Sequence, residues 1–322
     1  MAMVSRRGML AGAAAFVATP ALAQNAPAAR VKGPLVWMNM DQKELDDAYD
    51  QAVYAPNRNI ILKRCVRNSE LARERLGAPR RFAYGPTPFE GLDVFTAKTP
   101  NAPIMIWIHG GSWRVGKASD YHYLAEPFLN AGAHVVIPDF ANVGDVGGSL
   151  LVMADQIRRS VAWVYNNAKQ FGGDPERIYV SGQSSGGHLI GVLMTTDWKD
   201  YGVPMTVIKG GASGSGMYDL TPVRMSKRAE FVKFTDETVD KLSAERHLDK
   251  LVAPIALVYG SLETPEFQRQ SRDFFAAVKA KGLPVTLAVM EGYNHFEVME
   301  SIGDPYSLFG RAALEVMKLR PA

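Results

Sequence analysis

The sequence predicts an α/β protein with a mostly parallel central sheet of about eight strands, helices on both faces and a small helical cap. Three observations carry this. From about residue 80 onward, short β-rich runs alternate with amphipathic helical runs. The central β runs are nearly all apolar, as strands covered on both faces are. Glycine-rich turns follow two of these runs directly, at 110–111 and 182–187, and such punctuation separates strands from helices.

Taken in order, Asp41-Gln42-Lys43-Glu44 opens a helical stretch over 39–78, with a capping side chain and a glutamate three residues later. A second helical run, 57–76, stops at Gly77-Ala78-Pro79. The β runs 81–84 and 92–96 have no helix between them, which predicts antiparallel edge strands. The runs 104–109, 134–138, 177–181, 206–209, 255–259 and 285–289 follow. Helical runs at 150–170, 187–196, 266–281 and 305–319 separate several of them. This alternation is the pattern of a parallel sheet wrapped by helices. The stretches 39–78 and 212–250 fall outside it. They are expected to cap the C-terminal edge of the sheet, where open α/β folds hold their ligands.

Composition sets the outer bounds. The 322 residues are 47% hydrophobic and 21% charged, the balance of a globular protein rather than a disordered or fibrous one. A net charge of +3 gives no electrostatic case for a nucleic-acid partner. The single cysteine, Cys65, excludes an internal disulfide and a cysteine-built metal site. It lies in an apolar helical run, where a small buried side chain is expected.

Residues 1–23 read as a signal peptide: Arg6-Arg7, an Ala/Gly-rich apolar stretch, then Ala21-Leu22-Ala23. The arginine pair points to the twin-arginine (Tat) route and hence to a periplasmic or secreted protein. The apolar stretch is shorter than the roughly 20 residues of a membrane-spanning helix. The mature chain is expected to be one domain over 24–322, free of the membrane. Removing Arg6 and Arg7 leaves 34 basic residues against 33 acidic ones, so the mild basic balance belongs largely to the signal. Oligomeric state has no sequence signature here.

Three short loops carry the chemistry. Gly182-Gln183-Ser184-Ser185-Gly186-Gly187 lies between a β run and a helical run. A G-x-S-x-G in that setting is a nucleophile elbow, which lifts the hydroxyl of Ser184 above the sheet beside a helix N-terminus. His109-Gly110-Gly111-Ser112-Trp113 follows an apolar β run. Its glycines let backbone N–H groups approach a developing oxyanion. The N–H groups of Gly111 and Ser185 are the expected pair, with Gly110 or Ser112 as a third. No G-K-[ST] follows, so a phosphate loop is disfavoured. His295, in Gly292-Tyr293-Asn294-His295-Phe296, sits in a polar loop after the last β run and is the expected general base. His109 reads as a loop brace. His188 is expected to point away, and His134 starts a strand at the opposite edge. His122 is a candidate for the pocket wall.

The acid that orients the imidazole must lie between serine and histidine in this chain order. Glu263, just past the strand-ending Gly260, is the expected choice. Glu266 suits the start of the next helix, and Asp219 a brace in the cap. Trp113, Phe140, Met217, Tyr218 and Phe296, with Ser112, are candidates for the substrate pocket. The basic residues of 63–75 and Arg80-Arg81 are expected to form a solvated face.

HGGSW, the elbow GQSSGGHL, the lead-in Asp174-Pro175-Glu176-Arg177-Ile178, the acid loop GSLETPEFQRQS and the closing GYNHF together resemble the α/β-hydrolase fold. More narrowly they resemble its esterase branch similar to kynurenine formamidases (arylformamidases), from about Tyr84 to the C-terminus. The resemblance implies Ser184, His295 and Glu263 as a triad and the HGG loop as oxyanion hole. Many members carry alanine after the nucleophile and aspartate as the acid, where this chain has Ser185 and Glu263. The expected reaction is cleavage of a small carboxylic ester through an acyl-enzyme, with an N-formyl or aryl amide as the alternative substrate. This chemistry requires no cofactor. A function of another class, an inactive hydrolase fold that only binds, is expected to lack a triad residue or the oxyanion loop, and both are in order here.

Overall fold

The computed structural model describes residues 30–321. The expected signal peptide therefore lies outside the described residues. A short hairpin, β1 (Leu35–Trp37) with β2 (Met40–Asp41), comes first. Helix α1 (Gln42–Ala48) starts at Asp41, whose carboxylate accepts from the Glu44 N–H while the Glu44 side chain accepts from the Asp41 N–H. Both halves of the capping box are thus present. Helix α2 (Arg58–Leu76) ends at Gly77. The expected helical stretch 39–78 is therefore two helices with a single 3₁₀ turn, Gln51–Val53, between them.

The main sheet then builds up: β3 (Arg80–Ala83), β4 (Gly91–Phe95), β5 (Ala102–Ile108), α3 (Ala125–Asn130), β6 (His134–Pro138), α4 (Leu150–Asn167), β7 (Gly173–Gln183), α5 (Ser185–Met194) and β8 (Ile208–Gly214). After the short helices α6 (Thr221–Met225) and α7 (Asp236–Leu242) come β9 (Ile255–Gly260), α8 (Pro265–Ala280), β10 (Val285–Met290), α9 (His295–Ser301) and α10 (Leu308–Val316). Eight strands pair in the order β10-β9-β8-β7-β5-β6-β4-β3. The expected antiparallel strands are β3, at the edge, and β4 beside it; from β6 to β10 all neighbours run parallel.

Burial explains why the central strands carry no polar alternation. In β5 all seven residues are buried. Successive side chains of a strand point to opposite faces. Ile104, Ile106 and Ile108 enter one core with residues of α4, α5 and α8. Met105 and Trp107 enter the other, with residues of α2, α9 and α10. β6 and β9 divide the same way, Val136 against Val135 and Ile137, and Leu257 against Ala256 and Val258. Each strand thus belongs to two cores, and this fixes its register.

One expected element shifts. The β run placed at 206–209 is β8 at Ile208–Gly214, whose last three residues enter the stretch assigned to the cap. Its residues Gly210, Gly211 and Gly214 hide the strand from a propensity reading. The basic residues of 63–75 and Arg80-Arg81 are solvent-exposed as expected, apart from the half-buried Arg73, and several form ion pairs at the surface. Arg64 pairs with Glu300, Arg75 with Glu126, and Arg81 with Asp93 and Asp139. Among the described residues, no helix is long and apolar enough to cross a membrane.

Candidate active site

Ser184 stands at the end of β7, where the chain turns into α5. Its φ of 62° and ψ of −124° put a non-glycine residue in strained backbone. The turn closes only without a side chain at Gly186, where a Cβ would lie 2.1 Å from the carbonyl oxygen of Ile108. Ser185 heads α5, so its N–H has no intrahelical acceptor. The Ser185 hydroxyl accepts from the Trp113 N–H at 3.2 Å and ties the elbow to the HGGSW loop.

That loop is strained as well. Ser112 and Trp113 have φ of 56° and 62°. Gly111 has φ of 112°, and a Cβ there would meet the Val115 carbonyl oxygen at 2.0 Å. Gly110 lies against the elbow; a Cβ on it would stand 3.2 Å from the Ser184 Cβ. Gly110 and Ser185 therefore border Ser184, and Gly111 lines the same cavity.

His295 approaches from the other side. The expected polar loop is in fact the start of α9: Asn294 caps it, accepting from the Phe296 and Glu297 N–H groups, and Glu297 returns the bond to the Asn294 N–H. His295 is the first residue of that helix, held at the C-terminal edge of the sheet. Its Nε2 accepts from the Ser184 hydroxyl at 2.7 Å. Its Nδ1 donates to Glu263 Oε2 at 2.8 Å. Glu263 is buried and also accepts from the Gly260 N–H at 2.9 Å and from the Ser215 hydroxyl. Gln51 reaches it at 3.4 Å. Gln183, inside the elbow, donates to the His295 carbonyl at 3.0 Å. Ser215, Gln51 and Gln183 have no motif of their own. Gln183 alone had a sequence pointer, its place next to Ser184.

Ser184 and His295 open into a cavity of about 460 Å³. Its lining includes residues 49–52, Arg58, Leu62, Cys65 and Val66, then Gly111, Ser112 and residues 114–116, and Arg228, Phe296 and Met299. Of the expected pocket residues, Ser112 and Phe296 line this cavity. Trp113, Phe140, Met217 and Tyr218 do not. Each is spent on packing. Trp113 Nε1 donates to His188, Phe140 stacks on His109 at 4.3 Å, and Tyr218 stacks on Phe274 at 4.1 Å. Met217 is fully buried.

The other candidates sort by partner. His109 is a brace, with Nδ1 donating to the Gly110 carbonyl and its ring stacked between Phe140 and Tyr121. His122 is away from the cavity, paired with Asp93 at 2.9 Å. His188 is buried away from Ser184, and burial pushes its pKa down to about 4. His134 accepts from the Ala97 N–H at the far end of β6, and His247 donates to the Asp240 carbonyl at the surface. Glu266 bonds Tyr49 and Arg269. Asp219 accepts from the Thr221 N–H within its own turn. Cys65 is buried in the cavity wall, and burial raises its thiol to about 12, so the thiolate that would make it reactive does not form at neutral pH. No group of three or more His, Cys, Asp and Glu among the described residues is arranged to hold a metal.

Comparison with solved structures gives the frame for this geometry. A protein of Silicibacter sp. tm1040 superposes with a TM-score of 0.73 at 24% identity, over 84% of this chain and 98% of that one. The chain has the α/β-hydrolase fold. A family model described as BD-FAE matches residues 92–212, which contain the HGGSW loop and the turn around Ser184. The kynurenine formamidase of Danio rerio is 28% identical over 294 residues, 87% of this chain and 98% of its own. The isoprenylcysteine alpha-carbonyl methylesterase of Arabidopsis thaliana is 27% identical over 243 residues, 68% of this chain and 56% of its own. Both named relatives are hydrolases.

Proposed function

We propose that this chain is a serine hydrolase that cleaves small carboxylic esters through an acyl-enzyme, with Ser184, His295 and Glu263 as its triad. The observation that carries the reading is the continuous hydrogen-bond chain, Ser184 to His295 at 2.7 Å and His295 to Glu263 at 2.8 Å, ending in a buried carboxylate. A serine hydroxyl is a weak nucleophile until a base takes its proton. His295 Nε2 takes it as Oγ attacks the carbonyl. Glu263 holds the imidazole in the tautomer whose Nε2 is free to accept and stabilises the imidazolium that forms. The N–H groups of Gly111 and Ser185, with Gly110 beside them, receive the oxyanion. His295 then protonates the leaving alcohol, and water repeats the sequence on the acyl-serine.

Ester cleavage is placed first because the cavity wall is largely apolar, with Leu62, Val66, Phe296 and Met299 lining it beside Ser184. A second reading, hydrolysis of an N-formyl or aryl amide, is supported by the 28% identity to a kynurenine formamidase over 87% of the chain. Hydrolysis of a short p-nitrophenyl ester measured beside N-formylkynurenine separates the two. Ser184→Ala is expected to abolish both and to keep the wild-type melting transition. Turnover surviving in that variant overturns the assignment. We also propose export through the twin-arginine route, on Arg6-Arg7 and Ala21-Leu22-Ala23. Replacing both arginines by lysine is expected to leave the protein in the cytoplasmic fraction.

A further inference from the structure

Arg228 lies in the wall of the cavity that holds Ser184 and His295, yet it is only 4% exposed. Its Nε and Nη2 both donate to the Tyr49 carbonyl, at 3.2 and 2.9 Å. Its guanidinium faces the rings of Trp113 at 5.2 Å and Phe267 at 5.9 Å. The third nitrogen, Nη1, is buried with no hydrogen-bond partner. Among the described residues no carboxylate forms an ion pair with Arg228. Asp50, the nearby acid, is taken by Lys227 at 2.6 Å. Burial lowers the Arg228 pKa to about 10, which leaves it charged at neutral pH.

A buried cation without a counter-charge is costly, and an unmade donor adds to the cost. Holding one backbone carbonyl requires neither the charge nor a third nitrogen. The guanidinium fork matches a carboxylate in shape and charge. The Trp113 and Phe267 rings against it strengthen such a pair by lowering the local dielectric. We propose that Arg228 binds a carboxylate of the substrate, so that the favoured substrates are small esters or amides that carry an acid group. This rests on the serine-hydrolase reading above and specifies its substrate class.

The test compares acid-bearing substrates with neutral isosteres. One pair is 4-carboxyphenyl acetate and 4-carbamoylphenyl acetate, with the acid on the leaving group. The other is monomethyl glutarate and methyl pentanoate, with the acid on the acyl side. Wild type is expected to favour the acid of at least one pair by tenfold or more in kcat/KM, through KM. Arg228→Gln should reduce that ratio at least tenfold, and Arg228→Lys should keep part of it. Binding of 4-carboxyphenyl acetate and monomethyl glutarate to the Ser184→Ala variant is measured by calorimetry, with and without Arg228→Gln. Hydrolysis of both pairs without acid preference overturns the carboxylate site and leaves the hydrolase reading standing. An equal loss on acid and neutral substrates in Arg228→Gln also overturns it, as the mark of a purely structural arginine. If no ester turns over but Arg228-dependent binding persists, the hydrolase reading fails and the carboxylate site stands. Absence of both preference and binding in protein with native Arg228 overturns the inference even if Arg228→Gln does not fold.

Discussion

Glu263 does not touch the serine; its carboxylate accepts from His295, the Gly260 N–H and the Ser215 hydroxyl, and in the proposed mechanism it orients the imidazole. Glu263→Gln keeps the shape and replaces one acceptor oxygen by an N–H₂ donor. An amide donating to Nδ1 selects the tautomer whose Nε2 carries a proton and cannot accept from Ser184. The expected result is a fall in kcat of about 10³–10⁴ with little change in KM, by analogy with triad acids replaced by amides. Steady-state kinetics on a p-nitrophenyl ester checks it, and a kcat near wild type would remove Glu263 from the triad. Ser215 and Gln51 escaped the sequence reading because they lie 48 and 212 residues from Glu263. No spacing rule links residues whose only relation is a shared fold.

At the scale of elements, the β7–α5 turn holds the serine in place by forbidding side chains around it. Gly186→Ala would drive a Cβ into the Ile108 carbonyl of the neighbouring strand, and backbone has no rotamer with which to retreat. The variant is expected to lose on the order of 3 kcal/mol of stability, as overpacked buried sites do, and most of its activity. Chemical denaturation and an ester assay read the two effects, and a variant with wild-type stability contradicts the close approach. The α9 start shows the reverse case, in which a local signal was present and went unread. Asn294 and Glu297 form a capping box. His295 lies at the expected edge of the sheet, but on the first turn of α9 rather than in a loop. The first turn of a helix fixes the imidazole more firmly than a loop does, which suits a side chain that bonds Ser184.

Across the whole molecule, buried neutral histidines tie stability to pH. His188 accepts from Trp113 Nε1 at 3.3 Å and donates to the Leu242 carbonyl at 3.0 Å. Protonation would bring a charge into a dry core and set two donors face to face. Its folded pKa of about 4 is below the ~6.5 of an unfolded histidine. The unfolded chain therefore binds the proton more readily. This contribution is complete above about pH 6.5 and drains away as pH falls toward about 4, by on the order of 3 kcal/mol. Urea unfolding of Ser184→Ala between pH 7.5 and 4.5 should show the decline. His188→Gln should be less stable at pH 7.5 and show a shallower slope. An unchanged slope would assign the acid sensitivity to other groups.

Alternation of strands and helices, the reach of most strands, and the positions of the turn around Ser184 and of the HGGSW loop were legible in the sequence alone. Each is local: side-chain period follows from backbone geometry, and the elbow needs only chain neighbours. The convergence of Glu263 and His295 on Ser184 was legible through chain order and their positions after strands β9 and β10. Only tertiary structure decided what else those residues meet. It turned Trp113, Phe140, Met217 and Tyr218 from pocket wall into packing, because a large apolar side chain on a loop looks the same in sequence whether it faces a cavity or a core. It also brought Gln51, Ser215 and Arg228 to the site from distant stretches. Such convergence depends on how two cores close around one sheet, and no window along the chain contains it.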